Sequence, residues 1–352
     1  MTKTRTGIRR AATLASLLGL IAMFALSPLA VLAQDDVPAE GAEFDPAPYE
    51  APDDDVEGSV SADGSSTVFP VTQAAAEEFS DIVEGVEITV DFSGTGGGFE
   101  RFCEGETDIQ NASRPINPDE VAACTENGVD YYVFEVAVDG LTVAVPESND
   151  FLTCISVETL AEVWAPDSEI TNFHQIDPEF PDLELELYGP GPDSGTFDYF
   201  TEVIIGEEGA TREDYTPSED DQVLVQGVAN SEGGLGYFGY AYYEENQDIL
   251  NAVAIAQSPD LSDCVEPTPE TVQDGTYAPL SRPLFVYVRA DSLQENEAVQ
   301  EFMRFYLANG EEIARLADYF GSPAEVYEAD RQRLEDAISG TGTPDSQSTP
   351  AA

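Results

Sequence analysis

A chain of 352 residues, 42% of them hydrophobic, can bury a substantial core, and its length favours two lobes over one small domain. Its 13 basic residues face 70 acidic ones, for a formal net charge of −57. Binding to nucleic acid or to anionic lipid through the general field is thereby excluded, and an acidic, solvated surface is the simplest purpose of the charge.

The first 33 residues read as an export signal. Lys3, Arg5, Arg9 and Arg10 precede an apolar run over 11–33, which ends in the small-residue pattern Val31-Leu32-Ala33. The run could anchor the chain in a bilayer if left uncut. Cleavage leaves 9 basic residues, all arginine, and places the protein in a periplasmic or extracellular setting. Residues 34–58, rich in Asp, Glu, Pro and Ala, read as an acidic disordered linker. A short strand is expected over 59–62, a helix over 70–79 and an alternating strand over 86–92. A glycine run then opens a short helix through Phe99 and Phe102. Asn117-Pro118-Asp119-Glu120 supplies a cap, a first-turn proline and first-turn acids for a helix ending at Gly128. Segments 131–138 and 141–145 carry strand composition, and a helix follows over 156–164. A strand over 183–188 leads to helices over 196–205 and 220–229. A strand over 284–288 precedes helices over 296–309, 311–320 and 325–338. The tail 340–352 is Gly, Thr, Ser and Pro, and is expected to be disordered. Alternating strands and helices give an α/β class.

Four cysteines in an exported chain read as two disulfides, with three pairings open. A metal site is not expected: no Cys-x-x-Cys occurs, and His174 is the sole histidine. No cofactor is expected either.

Four stretches place serine or threonine ahead of a helix, three of them beside glycine. They are Gly64-Ser65-Ser66-Thr67, Ser93-Gly94-Thr95-Gly96-Gly97-Gly98, Asn111-Ala112-Ser113-Arg114 and Asp193-Ser194-Gly195-Thr196. Glycine lets backbone N–H groups approach a ligand, hydroxyls add donors, and a helix start carries partial positive charge. In open α/β sheets ligands bind at the carboxyl ends of strands, where these loops are expected. Such a set suits a small oxyanion.

In these stretches the chain resembles the PstS-type phosphate-binding proteins of ABC transporters. Their fold is the two-lobed type II periplasmic binding protein fold, an α/β architecture with the ligand cleft between the lobes. The ordered segments 63–70, 93–99, 108–116, 193–197 and 233–238 carry the resemblance over most of 59–340. It implies one lobe at 59–138 plus 283–339 and a second at 139–282. It also implies capture of inorganic phosphate, delivery to permease subunits in the membrane, a monomer and no catalysis. Each disulfide then falls within one lobe if Cys103 pairs with Cys124 and Cys154 with Cys264. Carried over by position, the phosphate-binding residues are Ser66, Thr67, Ser93, Thr95, Gly96, Gly97, Arg114, Ser194, Gly195 and Thr196. Two departures stand out. Arg114 occupies a place where many members have an aspartate that accepts the phosphate proton. Gly189-Pro190-Gly191-Pro192 stands where many have an arginine. Arg114 is therefore expected to grip the anion bidentately, or else to pair with one of the many acids. Asp193, then Asp63, are the candidate proton acceptors. Another tetrahedral oxyanion (sulfate, molybdate or tungstate) is the alternative ligand. A secreted phosphatase-like hydrolase is the alternative class. It is disfavoured by the missing Gly-x-Ser-x-Gly elbow and by a lone His174 far from the loops.

Overall fold

The computed structural model describes residues 49, 51–52, 56–192 and 194–347. The segment read as an export signal lies outside the described residues. Among those described, no helix is long and apolar enough to cross a membrane.

The described residues form eleven strands: β1 (Gly58–Gly64), β2 (Val86–Val90), β3 (Ile109–Ala112), β4 (Tyr131–Pro146), β5 (Cys154–Ser156), β6 (Glu186–Pro190), β7 (Thr216–Ser218), β8 (Gly234–Gly239), β9 (Leu250–Ala252), β10 (Ala254–Ala256) and β11 (Ser281–Arg289). The helices are α1 (Phe69–Ile82), α2 (Gly94–Cys103), α3 (Pro118–Asn127), α4 (Val157–Trp164), α5 (Phe173–Ile176), α6 (Gly195–Phe200), α7 (Asp221–Asn230), α8 (Tyr240–Glu244), α9 (Pro269–Gln273), α10 (Ala290–Glu295), α11 (Glu297–Ala308), α12 (Gly310–Leu316) and α13 (Ala324–Ile338).

The main sheet runs β2-β1-β3-β11-β4-β8-β6-β7, with β9 added on β4. β1 pairs in parallel with β2 and β3, and β6 with β7 and β8. The antiparallel strands β11 and β4 stand between these parallel halves. β4 is the spine. Residues 131–135 and 137–140 pair with β11, Val136 being skipped where the register shifts, and residues 141–146 pair with β8 and β9. The two strands expected over 131–138 and 141–145 are thus one, because Asp139 and Gly140 pair with Arg282 and Ser281 rather than turning.

The two largest of the apolar clusters among the described residues divide along this spine. Val60, Phe79, Phe134, Val286, Phe302 and Tyr306 belong to one. Leu141, Trp164, Phe200, Tyr237 and Leu280 belong to the other, where Phe200 and Tyr237 stack with ring centroids 3.7 Å apart. Full burial of each such side chain stabilises the fold by about 1.5–3 kcal/mol. The architecture is α/β, a main mixed sheet with an apolar core at each end of the β4 spine, as the resemblance leads one to expect. A disulfide joins Cys103 to Cys124, tying α2 to α3, and a second joins Cys154 to Cys264.

At the described edges of the two segments read as disordered, a few residues are held down. Tyr49 packs edge-on against Phe305 and donates its hydroxyl to Glu301, and Val56 is buried, so the acidic linker ends inside the core. In the tail, Asp345 accepts the Val133 amide at 2.8 Å and pairs with Arg333, while Ser346 donates to Asp130. Composition predicted disorder there because long-range polar partners leave no local trace.

Candidate functional site

β1 ends at Gly64, whose φ of +132° and close approach to Asn111 leave no room for a side chain: a Cβ would lie 2.2 Å from the Asn111 carbonyl oxygen. Gly98 is equally confined, 2.5 Å from the Gly64 Cα by the same measure. These contacts pack the loops after β1, β2 and β3 against one another. Ser65 N–H donates to Asn111 O at 2.9 Å, Ser93 N–H to Gly64 O at 3.0 Å, and Thr95 Oγ1 lies 3.1 Å from Ser113 Oγ. No side chain caps α1 or α2. At α1 the first turn is closed by backbone: Phe69 N–H donates to Ser65 O, Val71 and Thr72 N–H donate to Val68 O, and Pro70 has no N–H to offer.

The loops border a cavity of ≈ 280 Å³ lined by Ser66, Thr67, Ser93, Thr95, Gly96, Gly97 and Arg114, all expected from the sequence. Ser65, Gly94, Ser113, Asp198, Tyr199, Glu202, Glu208 and Arg282 complete the wall. Ser194, Gly195 and Thr196 are not among the lining residues. Ser194 accepts the Thr196 amide as the cap of α6. Gly195 packs on the first loop, where a Cβ would meet Thr67 Oγ1 at 2.7 Å. Thr196 faces a separate hollow with Asp139, Asp221 and Asp318. The fourth loop therefore backs the first loop. Asp193 lies outside the described residues.

Two expected roles meet competition. The Asp63 carboxylate is buried and accepts from Gly64 N–H at 2.8 Å, Ser93 Oγ at 2.9 Å and Arg101 at 2.5 Å. Both its oxygens are committed, and it is not a lining residue, so it is not placed to take a ligand's proton. The Arg114 fork lies on Glu120, at 2.9 and 2.8 Å, instead of standing open for an anion. Glu120 is fixed there because it also accepts the Asn117 amide, closing the capping box of α3.

Arg282 was not singled out from the sequence. It enters the cavity from the start of β11, where Ser281 and Arg282 pair with Gly140 and Asp139 of β4. Its guanidinium stacks 3.5 Å from the Tyr199 ring centroid, donates to Thr67 Oγ1 at 3.2 Å and to Asp139 Oδ2 at 3.3 Å, and lies 3.8 Å from Glu202. It thus touches the first loop, the spine and the α6 segment together. Its one sequence signal is scarcity: in a chain with so few cations, each arginine merits a search for its role.

Asp198 is a second new element. The helix expected over 196–205 changes at Thr201 to a π-helical turn (Thr201–Ile205), and the Thr201 hydroxyl donates to the Phe197 and Asp198 carbonyls. Asp198 and Glu202, four residues apart and so on one helical face, both line the cavity wall. Burial, then Glu208 nearby, pushes the Asp198 carboxyl up to about 6, with Arg282 opposing. Burial also raises Asp139, offset by Arg282. Among the described residues, no group of three or more His, Cys, Asp or Glu could hold a metal ion.

Comparison with known proteins places this geometry in a family. Residues 50–309 match the model of the PBP superfamily domain. Protein SphX of Synechocystis sp. is 49% identical over 273 residues, covering 76% of this chain and 80% of the relative. A phosphate-binding protein PstS of Staphylococcus saprophyticus is 38% identical, covering 80% of this chain and 86% of the relative. The crystal structure of a possible phosphate binding protein from Planctomyces limnophilus matches with a TM-score of 0.75 and 45% identity, over 80% of this chain and 99% of that one. A chain with strand-end hydroxyl loops around one cavity, matched over most of its length by such relatives, belongs to the PBP superfamily and, within it, to the PstS-type phosphate-binding proteins.

Proposed function

We propose that this protein captures inorganic phosphate in the cleft between its lobes and delivers it to the permease of an ABC transporter outside the cytoplasm. The observation that carries the reading is the convergence of three strand-end loops and Arg282 on one cavity of ≈ 280 Å³. The lobes are 59–138 plus 283–339 and 139–282, hinged where β4 and β11 cross between the two cores. Thr67, Ser66, Thr95 and the amides of Gly96 and Gly97 supply neutral donors, and Arg282 supplies the charge. Arg282 can turn from Asp139 and Thr67 onto the anion without crossing the cleft, because its stack on Tyr199 fixes the plane of the fork. Charge-assisted hydrogen bonds of about 1.5–3 kcal/mol each, several at once, offset dehydration of the ion and the repulsion of an acidic surface.

Its work is read as binding rather than catalysis, in keeping with the family of binding proteins to which the chain belongs. His174, on α5, faces the Phe180 carbonyl. A monomer suffices, since one chain furnishes the whole cavity. Native mass spectrometry of the protein as purified tests the reading. One phosphate per chain is expected. Sulfate, molybdate or tungstate in its place would move the assignment to the other oxyanions, and turnover of a chromogenic phosphate ester by the pure protein would revive a hydrolase.

A further inference from the structure

We infer that the cleft takes up phosphate together with one further proton, held between the anion and Asp198, so that capture is proton-linked and Asp198 sets the charge the site will accept. The inference rests on the phosphate reading above and deepens it. Its basis is the charge inventory of the wall. Two arginines, Arg114 and Arg282, face three carboxylates, Asp198, Glu202 and Glu208. Each arginine already leans on a carboxylate behind it, Glu120 and Asp139 respectively. A phosphate dianion entering this space meets an excess of negative charge, whereas the same anion with one more proton meets a smaller barrier.

Asp198 is the member of the set suited to that proton. Glu202 lies near Arg282, and Glu120 and Asp139 are held by their arginines. Asp198 has no hydrogen bond or ion pair from its carboxylate among the described contacts, and it is half-buried and lines the same cavity as the strand-end loops. The charged and titratable groups around it are Glu202 on the π-helical turn, Glu208 in the loop that follows, Arg282 on β11 and the buried phenol of Tyr237 on β8. Arg114 stands across the cavity. Burial first, then Glu208 and Glu202, favours the protonated acid and Arg282 opposes it, so the free carboxyl already lies at about 6. A bound anion adds negative charge beside it and drives it higher. The proton comes from solvent: hydrogen phosphate, one proton and ionised Asp198 combine, and the shared hydrogen sits between a phosphate oxygen and an Asp198 oxygen.

The test is calorimetric titration of the full-length protein with inorganic phosphate at pH 8.5, in two buffers of different ionisation enthalpy, with dissociation constants followed from pH 8 to 9. Uptake of about one proton per phosphate and a Kd that rises about tenfold across that unit are expected. Asp198→Asn should abolish both, leaving a flat Kd. Glu208→Gln should keep the proton uptake while binding more tightly. Phosphate binding without proton uptake, or an Asp198→Asn protein that keeps the slope, overturns the inference and leaves the phosphate reading intact. No phosphate binding by the wild type at any pH from 6 to 9 removes that reading and the inference with it. Should Asp198→Asn fail to fold, the wild-type proton count alone decides.

Discussion

Replacing Arg282 separates its two tasks. Its guanidinium neutralises Asp139, whose side chain is only 5% exposed, and it is the cation proposed to grip phosphate. Arg282→Gln strands the buried carboxylate, and breaking such a pair from one side costs about 3–5 kcal/mol, a large share of a typical total stability of about 5–15 kcal/mol. The double variant Arg282→Gln/Asp139→Asn removes both charges and should recover most of that loss, since the two amides can bond across the β4–β11 pair. Phosphate binding should not recover. Two charge-assisted hydrogen bonds at about 1.5–3 kcal/mol each amount to roughly 3–6 kcal/mol, or about 10²–10⁴ in Kd. Denaturant unfolding reads the first quantity and phosphate calorimetry the second. A double variant that folds well and binds phosphate within threefold of wild type refutes the anchoring role, and an Arg282→Gln protein of wild-type stability refutes the account of Asp139.

Other expectations follow from the same geometry. Gly195→Ala puts a methyl group 2.7 Å from Thr67 Oγ1, so the fourth loop must retreat from the first, and phosphate affinity should fall about tenfold. Wild-type affinity in that variant would show that the close approach does not matter to the ligand. Thermal stability should peak near pH 4. Asp221 and Asp330 are raised to about 6 by burial, so the folded state binds their protons more tightly and stability declines as pH rises from about 4 through 6. In the other direction, Asp214, Asp291 and Glu335 are lowered by Arg212, Arg289 and Arg304, and the stability they add is lost as pH falls below about 4. A melting temperature that climbs steadily from pH 5 to 8 contradicts this. Replacing Cys154 and Cys264 by serine opens a crosslink spanning 110 residues and should cost about 4–5 kcal/mol by the loop-entropy model. The Cys103–Cys124 crosslink, spanning 21, should cost about 3 kcal/mol, and the reverse order in chemical denaturation would reject that ranking. Association of phosphate, followed by stopped flow, should quicken with added salt, because a surface of formal charge −57 repels the anion at low ionic strength.

The strand-end loops were legible because their chemistry is local. Glycine beside a hydroxyl before a helix start is visible within six residues, and the capping box at Asn117 and Glu120 is visible within four. The α/β alternation followed from the same short-range patterns. Arg282 was hidden because its meaning depends on Asp139, 143 residues earlier, lying across a strand pair. β3 was faint because its four residues are all buried, Gln110 and Asn111 included, so no polar alternation marks it. Arg114 could be placed at the cavity but its partner could not. Glu120 is one acid among 70, selected by the helix cap that holds it. The place of the fourth loop behind Thr67 required knowing how closely the lobes approach.

Titration of ligand-free protein with phosphate, and with sulfate in parallel, probes the central claim most directly. The account predicts one phosphate per chain, binding lost when Thr67 and Thr95 are changed to valine, and far weaker binding of sulfate. Phosphate binding that survives those two changes, or no preference over sulfate, contradicts it.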